Sequence, residues 1–249
     1  MKETKLIMGM PVTVEIVDPQ TGEDSLALVF DYFKYVDEKF STYKSTSEIT
    51  LINEGKIEEK NYSDDMREIF ALAEKTKKET DSYFDIKNRE NVYDPSGIVK
   101  GWAIHNAGKI LKDNGYKNFC IEAGGDIETF GLNDEGKPWT IGIRNPFQTE
   151  EIVKVLEITD KGIATSGTHI RGQHIYNPKN KAEVLNDVAS LTVIGPDIYE
   201  ADRFATACFA MGKDGIMFLE NLPGFEGYMI DNTGMATMTN GFNQYQKNN

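Results

Sequence analysis

An α+β fold is predicted for this chain on three observations. Strand-like alternation dominates the middle and the end, amphipathic helical runs are interspersed without strict β-α-β order, and glycine- and proline-rich turns punctuate both. No internal repeat, linker or low-complexity tract divides the sequence, so residues 1–249 read as one domain. A length of 249 residues is enough for a substantial core. A composition of 39% hydrophobic and 27% charged residues is ordinary for a soluble globular protein. The formal net charge of -13 argues against non-specific attraction to nucleic acid or anionic lipid. An acidic protein that binds a phosphate ligand therefore needs locally placed cations, N–H groups or a divalent metal. Cys120 and Cys208 sit inside the apolar runs F-C-I and A-C-F and read as small buried hydrophobes, not a disulfide or zinc site. No apolar segment is long enough to span a membrane, and M-K-E-T-K-L-I-M-G-M carries no secretory apolar core. The chain as given reads as cytoplasmic; the alternative is an exported or anchored protein whose leader has been removed.

The elements follow in order. Residues 5–17 alternate at Val12, Val14 and Ile16 and predict a strand, with a bend over residues 8–11. Residues 18–23 form a hairpin-type or strand-to-helix turn, and Ser25 is placed to cap a helix with Leu26, Val29, Phe30, Phe33, Val36 and Phe40 inward. Residues 40–55 are dense in hydroxyls around one aromatic, Tyr43; a solvated loop is the plainer reading, with Ser47 placed to cap a short helix carrying Ile49 and Ile52. Residues 62–80 predict a second amphipathic helix, with Met66, Ile69, Phe70 and Ala73 inward, and residues 82–93 a short strand and turn.

Residues 93–107, Y-D-P-S-G-I-V-K-G-W-A-I-H-N-A, place Asp94 and Pro95 on a tight turn, then bracket Lys100 between Gly97 and Gly101. A helix opened by such a turn presents free N–H groups and a positive dipole end, which suits an anionic ligand. A close helix contact explains the same glycines. Residues 118–131 read as a buried strand, the turn Gly124-Gly125-Asp126 and a second strand; the paired glycines indicate a bulge or a ligand against the backbone. Residues 139–144, 153–158 and 189–194 are further strands. Residues 163–178 form the densest polar cluster, with His169, His174, Thr165, Ser166 and Arg171.

Residues 199–212 predict a helix that is buried in its C-terminal half. Asp202 and Thr206, four apart, project from one face of it. A buried carboxylate needs a partner: an arginine or backbone N–H, or a hard cation such as magnesium, which prefers oxygen ligands. Residues 214–222 predict a last helix and residues 227–242 a hairpin.

Several segments, in this order, resemble the ApbE family of FAD:protein FMN transferases. They are M-G-M-P-V-T-V, F-S-T-Y-K-S-T-S-E-I-T-L-I-N, D-P-S-G-I-V-K-G-W-A-I, E-A-G-G-D-I, W-T-I-G-I-R-N-P, A-T-S-G-T-H-I-R-G-Q-H-I-Y-N-P and Y-E-A-D-R-F-A-T-A-C-F-A-M-G. The resemblance covers nearly the whole chain. It implies a fold related to tandem T-folds and transfer of FMN from FAD to a Thr or Ser hydroxyl of an acceptor flavoprotein, with release of AMP. It also implies Mg2+ held by the Gly97 carbonyl, Asp202 and Thr206, and FAD contacts at Met8, Tyr43, Asp94, Lys100 and Ile175. Asp126 matches the family pattern as well and is assigned a structural role. His174 is the family-position candidate for the base that takes the hydroxyl proton, with His169 as the competitor. Two other readings keep the FAD site: a magnesium-dependent FAD pyrophosphatase giving AMP and FMN, and a non-catalytic FAD-binding protein.

The chain departs from the family pattern in places. Of an insertion common before the D-P-S-G turn only residues 87–93 remain, with Asn91 or Tyr93 as stand-ins; N-P-K-N-K places Asn177 where an acid is usual; and His105 replaces an Asp and reads as a surface helix residue.

Overall fold

A computed structural model gives the structure of residues 1–167, 176–180 and 187–247. Strands β1 (Lys2–Ile7), β2 (Met10–Ile16), β3 (Phe119–Ala123), β4 (Asp126–Phe130), β7 (Gly162–Gly167), β8 (Val188–Gly195), β9 (Glu226–Asp231) and β10 (Ala236–Met238) form an eight-stranded antiparallel sheet in the order β1-β2-β3-β4-β7-β8-β9-β10. Strands β5 (Trp139–Arg144) and β6 (Ile152–Ile158) form a separate antiparallel hairpin. Helices α1 (Glu23–Phe40), α4 (Ser96–Asp113) and α5 (Ile198–Ala210) pack on the large sheet; α2 (Glu48–Asn53), α3 (Asp64–Glu79) and α6 (Asp214–Glu220) complete the helical set. The α+β class predicted from sequence holds.

The large sheet is covered on both faces. Because side chains alternate along a strand, Ala164 and Met229 enter a core shared with the helices, while their neighbours Ile163, Tyr228 and Ile230 enter a second core under β5 and β6. Trp139, Ile141, Ile143, Leu156 and Ile158 supply the hairpin's side of that second core. Helix α5 lies between α4 and strands β7 and β8, which is why it is apolar on nearly every side. No helix of the described residues is long and apolar enough to cross a membrane. Cys208 is buried, and Cys120 is partly buried against the second core; both are free thiols.

Helix faces match the periodicity. Leu26, Val29, Phe30, Phe33, Val36 and Phe40 are all buried on α1, and Met66, Ile69 and Ala73 on α3. Ser47 caps α2 by accepting from the Thr50 N–H, as its spacing indicated, and Ser63 caps α3.

Three local expectations are corrected, and one strand is added at the start of the polar cluster. Residues 5–17 are not one bent strand: Met8 (φ 55°) and Gly9 (φ 72°) are consecutive left-handed residues and reverse the chain into the β1–β2 hairpin. Ser25 is not the cap of α1; Gly22 is, and the Ser25 hydroxyl accepts from the Gly22 N–H from within the first turn. Residues 82–93 form no strand beyond one bridge between Lys87 and Tyr93. The start of the polar cluster is strand β7, whose Gly162, Ile163, Ala164 and Ser166 are buried.

Candidate active site

The site is built where α4 and α5 cross. The Gly101 N–H of α4 donates to Asp202 Oδ2 of α5 at 2.8 Å. A Cβ on residue 101 would lie 2.6 Å from Asp202 Cβ and 2.9 Å from the Ile198 carbonyl oxygen, so only glycine permits this approach. One turn earlier on α4 the Gly97 carbonyl oxygen is 3.5 Å from Thr206 Oγ1, one turn later on α5. The two positions four apart on each helix thus meet as pairs.

Lys100 joins the cluster from the same turn of α4. Its ammonium is ion-paired with Asp126 at the head of β4 and lies 3.9 Å from Asp202 Oδ1. Asp126 is 1% exposed, and its Oδ1 accepts from the Thr165 N–H of β7 at 3.2 Å. The structural role assigned to Asp126 is therefore specific: it anchors Lys100 to the sheet. Burial pushes the Asp202 carboxyl up, to about 7; Lys100 pulls it down, and the nearby Asp126 adds to the rise.

The donor chemistry fits a hard cation. Among the described residues no three His, Cys, Asp or Glu side chains cluster at metal spacing, so an ion here must take backbone and hydroxyl oxygens beside a carboxylate. The Gly97 carbonyl and Thr206 hydroxyl, 3.5 Å apart, are too far for a good hydrogen bond. They are close enough to share an ion whose bonds are about 2.0–2.1 Å.

The turn that opens α4 is held from three sides. Asn53, at the end of α2, donates to the Tyr93 carbonyl at 2.9 Å and accepts from the Tyr93 N–H at 3.0 Å. The Asp94 N–H donates to the Ile86 carbonyl, and the Asp94 carboxylate accepts from the Ser96 N–H. The T-L-I-N end of the hydroxyl-rich segment is thus a structural clamp on the D-P-S-G turn.

A cleft of about 960 Å³ opens beside the cluster, at the upper end of small-molecule sites. Gly97, Lys100, Asp202 and Thr206 line it, as does Asp94. Met8 is not among the lining residues, but Gly9 and Met10 of its turn are. Tyr43 is 98% exposed and also outside the lining. His169, Arg171, His174 and Ile175 lie outside the described residues.

Sequence reasoning missed several lining residues. Tyr176 lines the cleft, and its hydroxyl donates to the Lys87 carbonyl at 2.6 Å. In the short 87–93 loop, Asn88 lines the cleft in place of the suggested Asn91 and Tyr93. All of residues 140–144 line it, inward- and outward-facing side chains alike, so β5 turns an edge toward the space. The signal for residues 140–144 and Tyr176 was their position inside the W-T-I-G-I-R and H-I-Y-N-P motifs, and for Asn88 its place in the short 87–93 loop. His105 is not a surface residue: its ring is 29% exposed, with Nδ1 3.9 Å from both Glu128 and Asp197, and burial holds its pKa below the ordinary value.

The model of the ApbE family matches residues 8–93 and 87–229. An FAD:protein FMN transferase of Vibrio cholerae is 35% identical over 130 residues, covering 49% of this chain and 39% of the relative. The Haemophilus influenzae protein of that name is 29% identical over 164 residues, 62% of this chain and 47% of the relative. The matched segments thus span less than half the length of these relatives. The structure of the flavin transferase ApbE from Vibrio cholerae superposes with a TM-score of 0.85 at 22% identity, covering 98% of each chain. An ApbE protein of Thermotoga maritima gives 0.87 at 20% identity, covering 100% of this chain and 99% of the other. At these identities the likeness shows a shared fold.

Proposed function

The chain belongs to the ApbE family, and from that premise we propose that it is a magnesium-dependent FAD:protein FMN transferase. It moves FMN from FAD to a Thr or Ser hydroxyl of an acceptor flavoprotein, and AMP leaves. The observation that carries this reading is the meeting of the Gly97 carbonyl, Asp202, Thr206 and Lys100 at one wall of the cleft.

Gly97, Asp202 and Thr206 are the residues that would hold Mg2+. The bound ion supplies charge neutralisation on the pyrophosphate oxygens. Lys100, fixed by Asp126, adds a full positive charge beside the same oxygens. The acceptor oxygen forms a bond to the FMN-side phosphorus, the bond from that phosphorus to the bridging oxygen breaks, and AMP carries that oxygen away. The hydroxyl proton passes to a base, assigned to His174 on its place in the motif. Met8, Tyr43, Asp94 and Ile175 are assigned to FAD on the same ground.

Incubation of the protein with FAD and Mg2+, with and without an acceptor domain, tests the reading. Covalent flavin on the acceptor is the expected result. AMP and free FMN without an acceptor would establish a pyrophosphatase instead, and intact FAD in both reactions a binding protein. Asp202→Asn keeps the size of the side chain and should abolish transfer; unchanged turnover at saturating Mg2+ would remove Asp202 from the metal set.

A further inference from the structure

The β5–β6 hairpin has two edges, and among the described residues only one of them is closed. On the β6 side the C-terminal segment pairs through a bridge between Leu156 and Gln246, and the Lys247 N–H donates to the Val155 carbonyl at 2.9 Å. On the β5 side no strand of the described residues follows. The N–H and C=O of one residue point to the same side of an antiparallel strand, and that side alternates along the chain. Val155 is turned toward the C-terminal segment, so its register partner Gly142 is turned away from β6. Thr140, two residues earlier, is turned the same way, while Ile141 and Ile143 bond to β6. Thr140 and Gly142 therefore present main-chain donors and acceptors at the free edge, at a spacing of about 7 Å.

Sheet edges are commonly blunted by proline, lysine or a bulge. Here the irregularity comes only after Ile143, and residues 139–143 contain neither proline nor lysine. Thr140 and Gly142 line the same cleft as Lys100, Asp202 and Thr206. A glycine in mid-strand marks a place where another backbone can come close. A Cβ on residue 142 would lie 2.9 Å from Ile152 Cδ1, so the glycine lets that apolar side chain lie across the strand beside the edge.

We propose that this edge docks the acceptor: its Thr or Ser hydroxyl arrives on an extended segment that adds to β5 as a third strand, bonding to Thr140 and Gly142. This rests on the transferase reading above and states how the protein substrate is held. Transfer needs a hydroxyl from a second protein inside a cleft that also takes FAD. An extended segment lies about 4.8 Å from its neighbour strand, whereas a helix is about 10–12 Å across. Two donor–acceptor pairs in series match the repeat of a polypeptide, and main-chain pairing of this kind supplies affinity while alternate side chains supply specificity. Successive side chains of the added strand point to opposite faces. A hydroxyl directed into the cleft thus leaves its two neighbours directed out of it.

The probe is an acceptor domain that takes covalent flavin in the assay above, with its target Thr or Ser changed to Ala. Amide hydrogen exchange of the full chain with FAD and Mg2+ is followed by NMR, with and without this probe. Exchange at Thr140 and Gly142 should slow by about tenfold on addition of the probe, the effect of one main-chain hydrogen bond. Ile141 and Ile143, already bonded to β6, should change less. Gly142→Pro removes the edge N–H and is placed where an edge strand accepts proline; Gly142→Ala keeps that N–H. The KM for the unmodified acceptor domain should be about tenfold higher in Gly142→Pro than in Gly142→Ala, with FAD affinity by flavin fluorescence equal in the two. Unslowed exchange at Thr140 and Gly142 overturns the proposal. Equal slowing by FAD alone assigns the edge to FAD, and slowing that grows with protein concentration without the probe assigns it to a second copy; either result also overturns it. If Gly142→Pro does not fold, the exchange measurement on the wild-type chain decides. Failure of every acceptor domain to take flavin defeats the transferase reading, and this inference with it.

Discussion

Gly101 and Asp202 are separated by 101 residues of chain and joined by one hydrogen bond of 2.8 Å, where α4 and α5 pack too closely for a Cβ on residue 101. That contact sets the depth at which Asp202 sits beside Lys100 and aligns Gly97 with Thr206. Gly101→Ala would place a methyl group 2.6 Å from Asp202 Cβ and force the helices apart. Overpacking of this kind costs about 1–3 kcal/mol. We expect a lower midpoint in chemical unfolding together with lost flavin transfer; a variant with wild-type stability and activity would show that the crossing is not rigid.

Thr206→Val separates the metal role from stability. Among the described residues the Thr206 hydroxyl makes only a long contact with the Gly97 carbonyl, 3.5 Å, so its replacement by a methyl group removes little folding energy. The expected phenotype is a melting temperature near wild type with the Mg2+ concentration for half-maximal transfer raised about tenfold, the equivalent of about 1.4 kcal/mol. An unchanged Mg2+ dependence would place the ion elsewhere.

Tyr43→Ala tests a residue that the fold does not need. The ring is 98% exposed, and surface substitutions away from special features usually change stability by within about 0.5 kcal/mol. Stability should therefore be unaltered. If Tyr43 contacts FAD, as the family pattern implies, FAD binding should weaken, measured by flavin fluorescence; equal affinity in both proteins would confine Tyr43 to the surface.

Glu128 predicts a pH dependence. Its Oε2 accepts from the Ile198 N–H at the start of α5 at 2.6 Å. Burial raises its carboxyl pKa from 4.5 to about 7, opposed by that N–H and by Lys112. Between these values the folded state holds a proton that the unfolded chain releases, so this group's contribution to stability falls as pH rises through the window. Glu128→Gln keeps an acceptor for Ile198 without the charge. It should match wild type below about pH 4.5 and exceed it above pH 7 by on the order of 1–3 kcal/mol. Urea unfolding at both pH values checks this, and a difference constant with pH would contradict it.

Much of the helical architecture was legible because it is local. The apolar residues of α1 and α3 recur at helical spacing, and the cap Ser47 sits at the required distance before α2. Asp202 and Thr206 share a face of α5 for the same reason, whatever packs against it. The β1–β2 reversal was less legible: Met8 in the left-handed region is an uncommon choice, and M-G-M-P lacks the Asn-Gly signature of such turns. Strand β7 was hidden because its short run of small residues, A-T-S-G, shows little alternation in hydropathy.

The sequence by itself determined which side chains share a helix face, where the chain turns, and the motif order that marks the family; these follow from spacings of a few residues and from backbone preference. Only the tertiary structure decided that Gly101 admits Asp202, that Asp126 holds Lys100, that Asn53 clamps the turn at Tyr93, and that an edge of β5 faces the cleft. Each of these joins groups distant in the chain, and their meeting depends on how helices cross and strands order in a packed interior, which no local spacing encodes.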